Sequence, residues 1–334
     1  MRLKPVSEQV VVVLGASSGI GRQSALQLAA RGAKLVVAAR SEAALQSLVE
    51  EIEAAGGEAV RVVCDVSELE QVRAVGDAAV AAFGRIDTWV NVAAVMVHAR
   101  FEDTEPEEFR RLMEINYLGH VHGALVALPR LREAGGGALI AVSSVESRVS
   151  IPRHTAYSAT KHAVEGMIDG LRRDLLADGE HRISVTSIKP ATINTPFFSN
   201  AANTMEVEPK GPPPVYQPSV VADCVVHAAE HPVRDLWAGG AARTMALGQA
   251  LSPGLMDALM ARIVPLERSS LPTPGGSPGT LFAPRDQEQR TEGDFSTGAR
   301  SWSTFTWLQT HPGARPALRA GAVVALLAAT RRRR

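Results

Sequence analysis

The 334-residue chain has little cysteine: only Cys64 and Cys224 occur. Two thiols cannot supply a disulfide framework or a cysteine-rich zinc site, and such sparse use fits a reducing, cytoplasmic setting. Net charge is missing too. Lys+Arg and Asp+Glu are both 35, so nothing in the balance points to nucleic acid or another polyanion. Long apolar runs are also lacking. The run 10–14 is too short for a signal-peptide core and reads as a first strand. No stretch reaches the roughly 18 to 20 apolar residues of a membrane-spanning helix. The nearest, 320–330, would make a helix about 16 Å long, half of a hydrocarbon core. It is followed by Arg331 to Arg334, so a peripheral, half-inserted contact of 317–334 with anionic headgroups is one expectation. A docked helix or an irregular tail is the other.

What is present is a βα alternation. Short β-branched runs at 10–14, 34–38, 59–63, 88–91, 138–142 and 183–188 alternate with helical patterns at 20–30, 42–55, 68–83, 106–133 and 155–177. Strands with few polar residues are buried on both faces, and intervening helices make the crossovers of a parallel sheet. The expected fold is α/β, a doubly wound Rossmann-type parallel sheet flanked by helices. The pattern continues through a helix at 220–230, a strand at 235–239 and a helix at 244–263. A Pro-rich loop, 195–218, interrupts it, a length that suggests a functional lid or an irregular segment. Residues 265–316 carry seven Pro and six Gly, the composition of a linker. The expected division is therefore a nucleotide-binding catalytic domain over 1–264, a linker over 265–316 and a short apolar, basic tail over 317–334. Phe295, Trp302, Phe305 and Trp307 are out of keeping with a free linker and could dock.

The first strand runs into Gly15-Ala16-Ser17-Ser18-Gly19-Ile20-Gly21 and then a helix. Gly15 suits a tight turn with positive φ. Gly19 lets the backbone approach a ligand, and Gly21 lets helix and strand pack closely. The helix start offers unpaired N–H groups to a pyrophosphate, and Ser17 and Ser18 add hydroxyl donors. Glycines alone can also merely cap a turn. At the end of the second strand an acid would bind the ribose 2′-hydroxyl of NAD, whereas an Arg accommodates a 2′-phosphate. The chain has Arg40 there, so NADP(H) is preferred, with NAD(H) left open.

Tyr157 and Lys161 lie four apart on one helical face, and Ser144 ends the fifth strand, where ligands bind in such sheets. A nearby ammonium favours phenolate, which suits Tyr157 to proton transfer for a carbonyl/alcohol couple. A lone Tyr-x3-Lys arises by chance; joined to the glycine turn and Ser144 it does not.

These motifs resemble the short-chain dehydrogenase/reductase family, in its short single-domain branch, over roughly 8–263. The family's TGxxxGxG turn is matched by Leu14 to Gly21, with Leu14 in place of Thr. Its acid near the adenine is matched by Asp65 in Cys64-Asp65-Val66, and its NNAG by Asn91-Val92-Ala93-Ala94. Its PGxxxT segment is matched by Pro190-Ala191-Thr192-Ile193-Asn194-Thr195. The Ser-Tyr-Lys-Asn set falls on Ser144, Tyr157, Lys161 and Asn116. The resemblance implies hydride transfer between a nicotinamide and a substrate carbon, with Tyr157 exchanging the oxygen's proton and Ser144 orienting that oxygen. It implies that Lys161 lowers the Tyr157 pKa and holds ribose hydroxyls, and that Asn116 anchors a relay water. Ile193 and Thr195 would touch the carboxamide. It further implies a homodimer or homotetramer through the long helices, and a small alcohol or ketone substrate. Two other readings stay open: a membrane-associated reductase of lipid- or steroid-like carbonyls, and a cofactor-binding scaffold with little turnover. His120 and His122, two apart on a helix, point away from each other and make no metal site. His98, His154 and His162 fall near the expected active face. Phe197 and Phe198 either line an apolar pocket or pin the loop, and Trp237 is expected in the core.

Overall fold

The computed structural model describes residues 2–314 apart from 206, 274–275, 286–288 and 296. The basic tail 317–334, with its expected membrane contact, lies outside the described residues.

Seven parallel strands form the central sheet: β1 (Val10–Leu14), β2 (Lys34–Ala39), β3 (Glu58–Val63), β4 (Thr88–Asn91), β5 (Gly137–Val142), β6 (Ile183–Pro190) and β7 (Asp235–Ala238). Their spatial order is β7-β6-β5-β4-β1-β2-β3. The strand order reverses between β1 and β4, and the crevice outside their carboxyl ends is where ligands bind in such sheets. The alternation of β1 divides the core. Val11 and Val13 pack on one face with Leu28, Leu45, Leu48 and Val225. Val12 and Leu14 pack on the other with Val72, Ile115 and Val164. Burial on both faces is what the near-continuous apolar strands required.

The helices follow their local signals. Ser41 caps α2 (Glu42–Ala54) by accepting from the Ala44 N–H. A Glu105/Glu108 capping box with Pro106 at the first position starts α4 (Pro106–Met113). Helices α1 (Gly19–Ala29) and α3 (Leu69–Phe83) complete the first half, and α6 (Thr155–Ala177) and α7 (Pro218–Glu230) the second.

Two expected helices are divided. The helix expected over 106–133 is α4, a π-helical turn over Glu114–Leu118, and α5 (Gly119–Glu133). The extra residue of a π turn rotates Asn116 inward, and such turns mark functional sites. The helix expected over 244–263 begins earlier and breaks once, into α8 (Gly240–Leu251) and α9 (Pro253–Ala261). Pro253 has no N–H to continue the first helix and pushes Ser252 out of the helical region, to φ −151° and ψ 80°.

Among its described residues the Pro-rich loop 195–218 carries two- and three-residue strands at Ala202–Asn203, Val207–Pro209 and Val215–Tyr216. The described part of 265–316 is largely irregular and lies against the fold. Leu281 is 1% exposed, and α10 (Thr304–Thr310) caps the edge strand β7. There the Thr306 hydroxyl donates to the Trp237 carbonyl and accepts from the Gly239 N–H. Trp237 is buried, as expected, whereas Trp302 and Phe305 stay exposed.

Candidate active site

A cavity of about 240 Å³ opens at the carboxyl ends of β1, β4 and β5. Its deep end is made by the first turns of α6 and the residues after β5. Ser144 follows β5 and starts a single 3-10 turn, Val145–Ser147. The Ser144 hydroxyl accepts from the Glu146 N–H at 3.0 Å and is close enough to the Tyr157 phenol to favour its ionised form. Lys161 is one turn further along α6 and 1% exposed; its Nζ donates to the Val142 carbonyl at 3.1 Å and stands 5.6 Å from the Tyr157 ring centre. Burial pulls the Lys161 ammonium down to about 8, against the pull of Glu146 and Glu165. Burial also drives the Tyr157 phenol well above its ordinary value; Glu146 adds to the rise and the Ser144 hydroxyl opposes it. Desolvation and a nearby carboxylate both disfavour phenolate.

Asn116 is fully buried on the π turn. Its Oδ1 accepts from the Val95 N–H at 2.8 Å, and its Nδ2 donates to the Val95 carbonyl and to Thr160. The side chain therefore ties the loop after β4 to α6, one position from Lys161. Met96, Ile151, Phe197 and Phe198 give this end apolar walls. Phe197 tilts against Tyr157 at 5.5 Å, and Phe198 meets Phe295 edge-on at 5.9 Å. The two phenylalanines thus both line the cavity and pin the loop. His98 and His154 are buried beside it and lie 3.0 Å apart, whereas the His162 ring faces the Ser158 carbonyl.

The other end is built on the glycine turn. Gly15 has φ +90°, and a Cβ there would lie 2.5 Å from the Ala93 nitrogen; at Gly21 it would lie 1.9 Å from the Gly15 carbonyl. Only glycine allows β1, α1 and the chain after β4 to approach so closely. Ser17, Ser18, Gly19 and Ile20 open α1 onto the cavity, with Val66, Ala93, Ala94, Pro190, Ile193 and Thr195 around them. Arg40 and Asp65 stand at its mouth. Asp65 takes the Ser67 N–H and hydroxyl and pairs with Arg111. Burial opposes ionisation, yet these partners hold its carboxyl below the ordinary range. Arg40 donates to the carbonyls of Thr280 at 2.6 Å and Leu281 at 3.4 Å. The Gly19 N–H donates to the Arg290 carbonyl at 3.0 Å.

The fit to a dinucleotide rests on this frame: a helix start facing the cavity, glycines no side chain could replace, and a cationic side chain at the end of β2. Residues 9–206 match the short chain dehydrogenase family. The chain belongs to that family. It is 37% identical over 266 residues to the uncharacterized oxidoreductase YxnA of Bacillus subtilis, covering 79% of this chain and 74% of that protein. It is 31% identical over 280 residues to dehydrogenase/reductase SDR family member 7B of Bos taurus, covering 79% and 84%. Among solved structures it resembles a short chain dehydrogenase from Mycobacterium paratuberculosis bound to NAD, with a TM-score of 0.60 and 28% identity, covering 69% of this chain and 95% of that one. It also resembles an alcohol dehydrogenase from Thermococcus sibiricus complexed with 5-hydroxy-NADP, with a TM-score of 0.60 and 26% identity over 69% and 95%. This short-chain enzyme is thus an NAD(P)-dependent dehydrogenase/reductase.

The enzyme brings most of the residues named from sequence to one cavity. Asn91 and Asn116 are exceptions. Asn91 ends β4 but accepts from the Trp89 indole at 3.0 Å. It faces α5 so closely that a Cβ on Gly123 would lie 2.3 Å from its Oδ1. Two groups of cavity residues were not foreseen. Glu146 is two residues after Ser144, and that closeness to the expected catalytic serine was the available signal. Thr280, Pro284 and Arg285 come from the Pro/Gly-rich segment. The apolar residues scattered through that segment hinted that it docks.

Proposed function

We propose that this enzyme is an NADP(H)-dependent oxidoreductase that interconverts a small ketone and its secondary alcohol, with Tyr157 as acid/base. The observation that carries the reading is the convergence of Ser144, Tyr157 and Lys161 at the deep end of a cavity whose other end is the glycine turn. The nicotinamide, when bound, supplies or receives the hydride. The chain's own residues do the rest. The Ser144 hydroxyl orients the substrate oxygen. The Tyr157 hydroxyl gives that oxygen its proton in reduction and regains it in oxidation. Lys161, charged and held by the Val142 carbonyl, offsets negative charge developing on the phenol. Met96, Ile151, Phe197 and Phe198 exclude water and favour an apolar carbonyl compound. Ile193 and Thr195 are placed for the carboxamide, and the Arg40 guanidinium for a 2′-phosphate, in exchange for the two carbonyls it now holds. The test is a panel of apolar ketones and aldehydes with NADPH and NADH. Oxidation of NADPH at lower concentrations than NADH supports the reading. No turnover with any carbonyl would favour the scaffold reading.

Exposed Met113, Leu118 and Leu125 along α4–α5 support the family-type homodimer or homotetramer, which light scattering would reveal; a monomer contradicts it. A membrane-associated form has its own support. Leu247, Leu251, Leu255 and Leu259 recur every four residues on α8–α9 and are all exposed. No helix among the described residues is long and apolar enough to cross a membrane, so the contact would be peripheral, shared with 317–334. Sedimentation with anionic liposomes is expected to pull down the full chain and not a variant lacking 317–334. Equal recovery in the supernatant ends this reading.

A further inference from the structure

Glu146 has no part in the chemistry described so far, yet it lines the cavity beside Tyr157 and is only 7% exposed. Its carboxylate oxygens are held separately. His154 Nδ1 lies 3.0 Å from Oε1, and the Ser158 hydroxyl donates to Oε2 at 2.7 Å. His154 Nε2 in turn lies 3.0 Å from His98 Nδ1. The His154 ring thus bridges the Glu146 carboxylate and His98, with the donor in each contact fixed by the ring's tautomer and protonation. Burial, with His154 and Arg153 nearby, pushes the His98 imidazole down to about 2, so it stays neutral.

The carboxylate joins three elements. The Glu146 N–H donates to the Ser144 hydroxyl at 3.0 Å. Ser158, its other anchor, follows Tyr157 on α6. The histidine pair reaches the strand residue His98. We propose that Glu146 is a positioning residue for proton transfer: pinned by Ser158 and the His154–His98 pair, it locks the Ser144 turn onto α6 and holds Tyr157 as the protonated donor. The proposal rests on the reading of Tyr157 as acid/base.

A fixed negative charge in a water-poor pocket disfavours a second one on the phenol and favours the ammonium on Lys161. The groups facing these two come from every neighbouring element. Ser144 and Glu146 approach from the 3-10 turn, His154 from the start of α6, Glu165 from further along it, and His120 from α5. His120 is pushed down to about 3 by burial and by Lys161, so it adds no charge. Glu146 and Glu165 support the ammonium, and Glu146 opposes phenolate. The balance keeps Tyr157 in the form that carbonyl reduction needs.

The test replaces charge and shape separately. Glu146→Gln keeps the shape and removes the charge; Glu146→Asp keeps the charge and shortens the arm. The near-ultraviolet phenolate absorbance of each protein, less that of the same protein carrying Tyr157→Phe, isolates Tyr157 and needs no substrate. The Gln variant is expected to ionise Tyr157 about one pH unit or more lower. The alkaline loss of kcat/KM for NADPH-driven reduction should move down in step. The Asp variant should keep the original midpoint while kcat falls. Equal midpoints in the wild type and the Gln variant overturn the proposal. If the Gln variant does not fold, Ser158→Ala, which removes one anchor, should lower kcat and leave the Kd for NADPH unchanged; an unchanged kcat is then the contrary result. A wild-type enzyme that reduces no carbonyl would refute the reading of the site, and the absorbance titration would still judge Glu146.

Discussion

The two ends of the cleft are held in place by different means. At the deep end the side chains Ser144, Tyr157, Lys161 and Glu146 stand on chain between β4 and α6 and are held largely by buried hydrogen bonds within that stretch, with Phe197 and Phe198 of the Pro-rich loop as added walls. The nucleotide end starts from β1, α1 and β2 but is completed from far along the chain. Thr280 and Leu281 hold Arg40, and Arg290 holds the Gly19 N–H. The family match over 9–206 therefore contains Ser144, Tyr157, Lys161 and Glu146 and only part of the wall at the nucleotide end. Chemistry and cofactor choice should respond to different parts of this molecule, and variants at each end can separate them.

The largest effect is expected at the deep end. Lys161→Ala should lower kcat by about 10²–10⁴-fold, the range spanned by positioned acid/base groups, measured as NADPH oxidation at saturating carbonyl. A fall of less than tenfold would place Lys161 outside proton transfer. At the nucleotide end Gly21→Ala should cost about 1–3 kcal/mol through overpacking against the Gly15 carbonyl, together with most nucleotide binding. Denaturant unfolding and NADPH fluorescence check the two losses.

Leu281→Ala should loosen the distant wall without touching chemistry. Emptying a fully buried leucine site costs about 2–5 kcal/mol, and Arg40 is freed from two carbonyls. The preference for NADPH over NADH is then expected to rise several-fold with kcat unchanged. A fall in kcat with preference unchanged would mean the ends are not separable in this way. The smallest effect is electrostatic. The Asp65 carboxyl is held below its ordinary range in the folded chain. Its contribution is thus present above the unfolded value of about 3.9 and lost as pH falls through the lower folded value. Asp65→Asn should slightly lower stability at neutral pH, and the difference should vanish once the pH has fallen below the folded value. A difference that persists there would assign it to packing.

The same contrast explains what could be read from the sequence. β1, β4 and the α6 pair Tyr157/Lys161 were legible because burial on both strand faces and four-residue helical spacing leave periodic marks. The glycine turn was legible because close backbone packing admits no other residue. The break at Pro253 was written in the chain but outweighed by the apolar periodicity around it. The π turn at Asn116 was not legible as a rotation, since 114–118 continue the helical pattern. The docking of Thr280, Leu281 and Arg290 was hidden because backbone carbonyls do the binding, and these leave no residue signature. Glu146 was passed over because a carboxylate four positions after a strand reads as solvated until its partners are seen to be buried.

The central claim is that Tyr157 carries the proton at a site whose nucleotide end is built separately. Tyr157→Phe removes one hydroxyl and leaves the ring against Phe197. The account predicts that NADPH oxidation falls by at least about 10²-fold while the Kd for NADPH, by fluorescence titration, stays within about twofold. Undiminished turnover with the hydroxyl gone would contradict it.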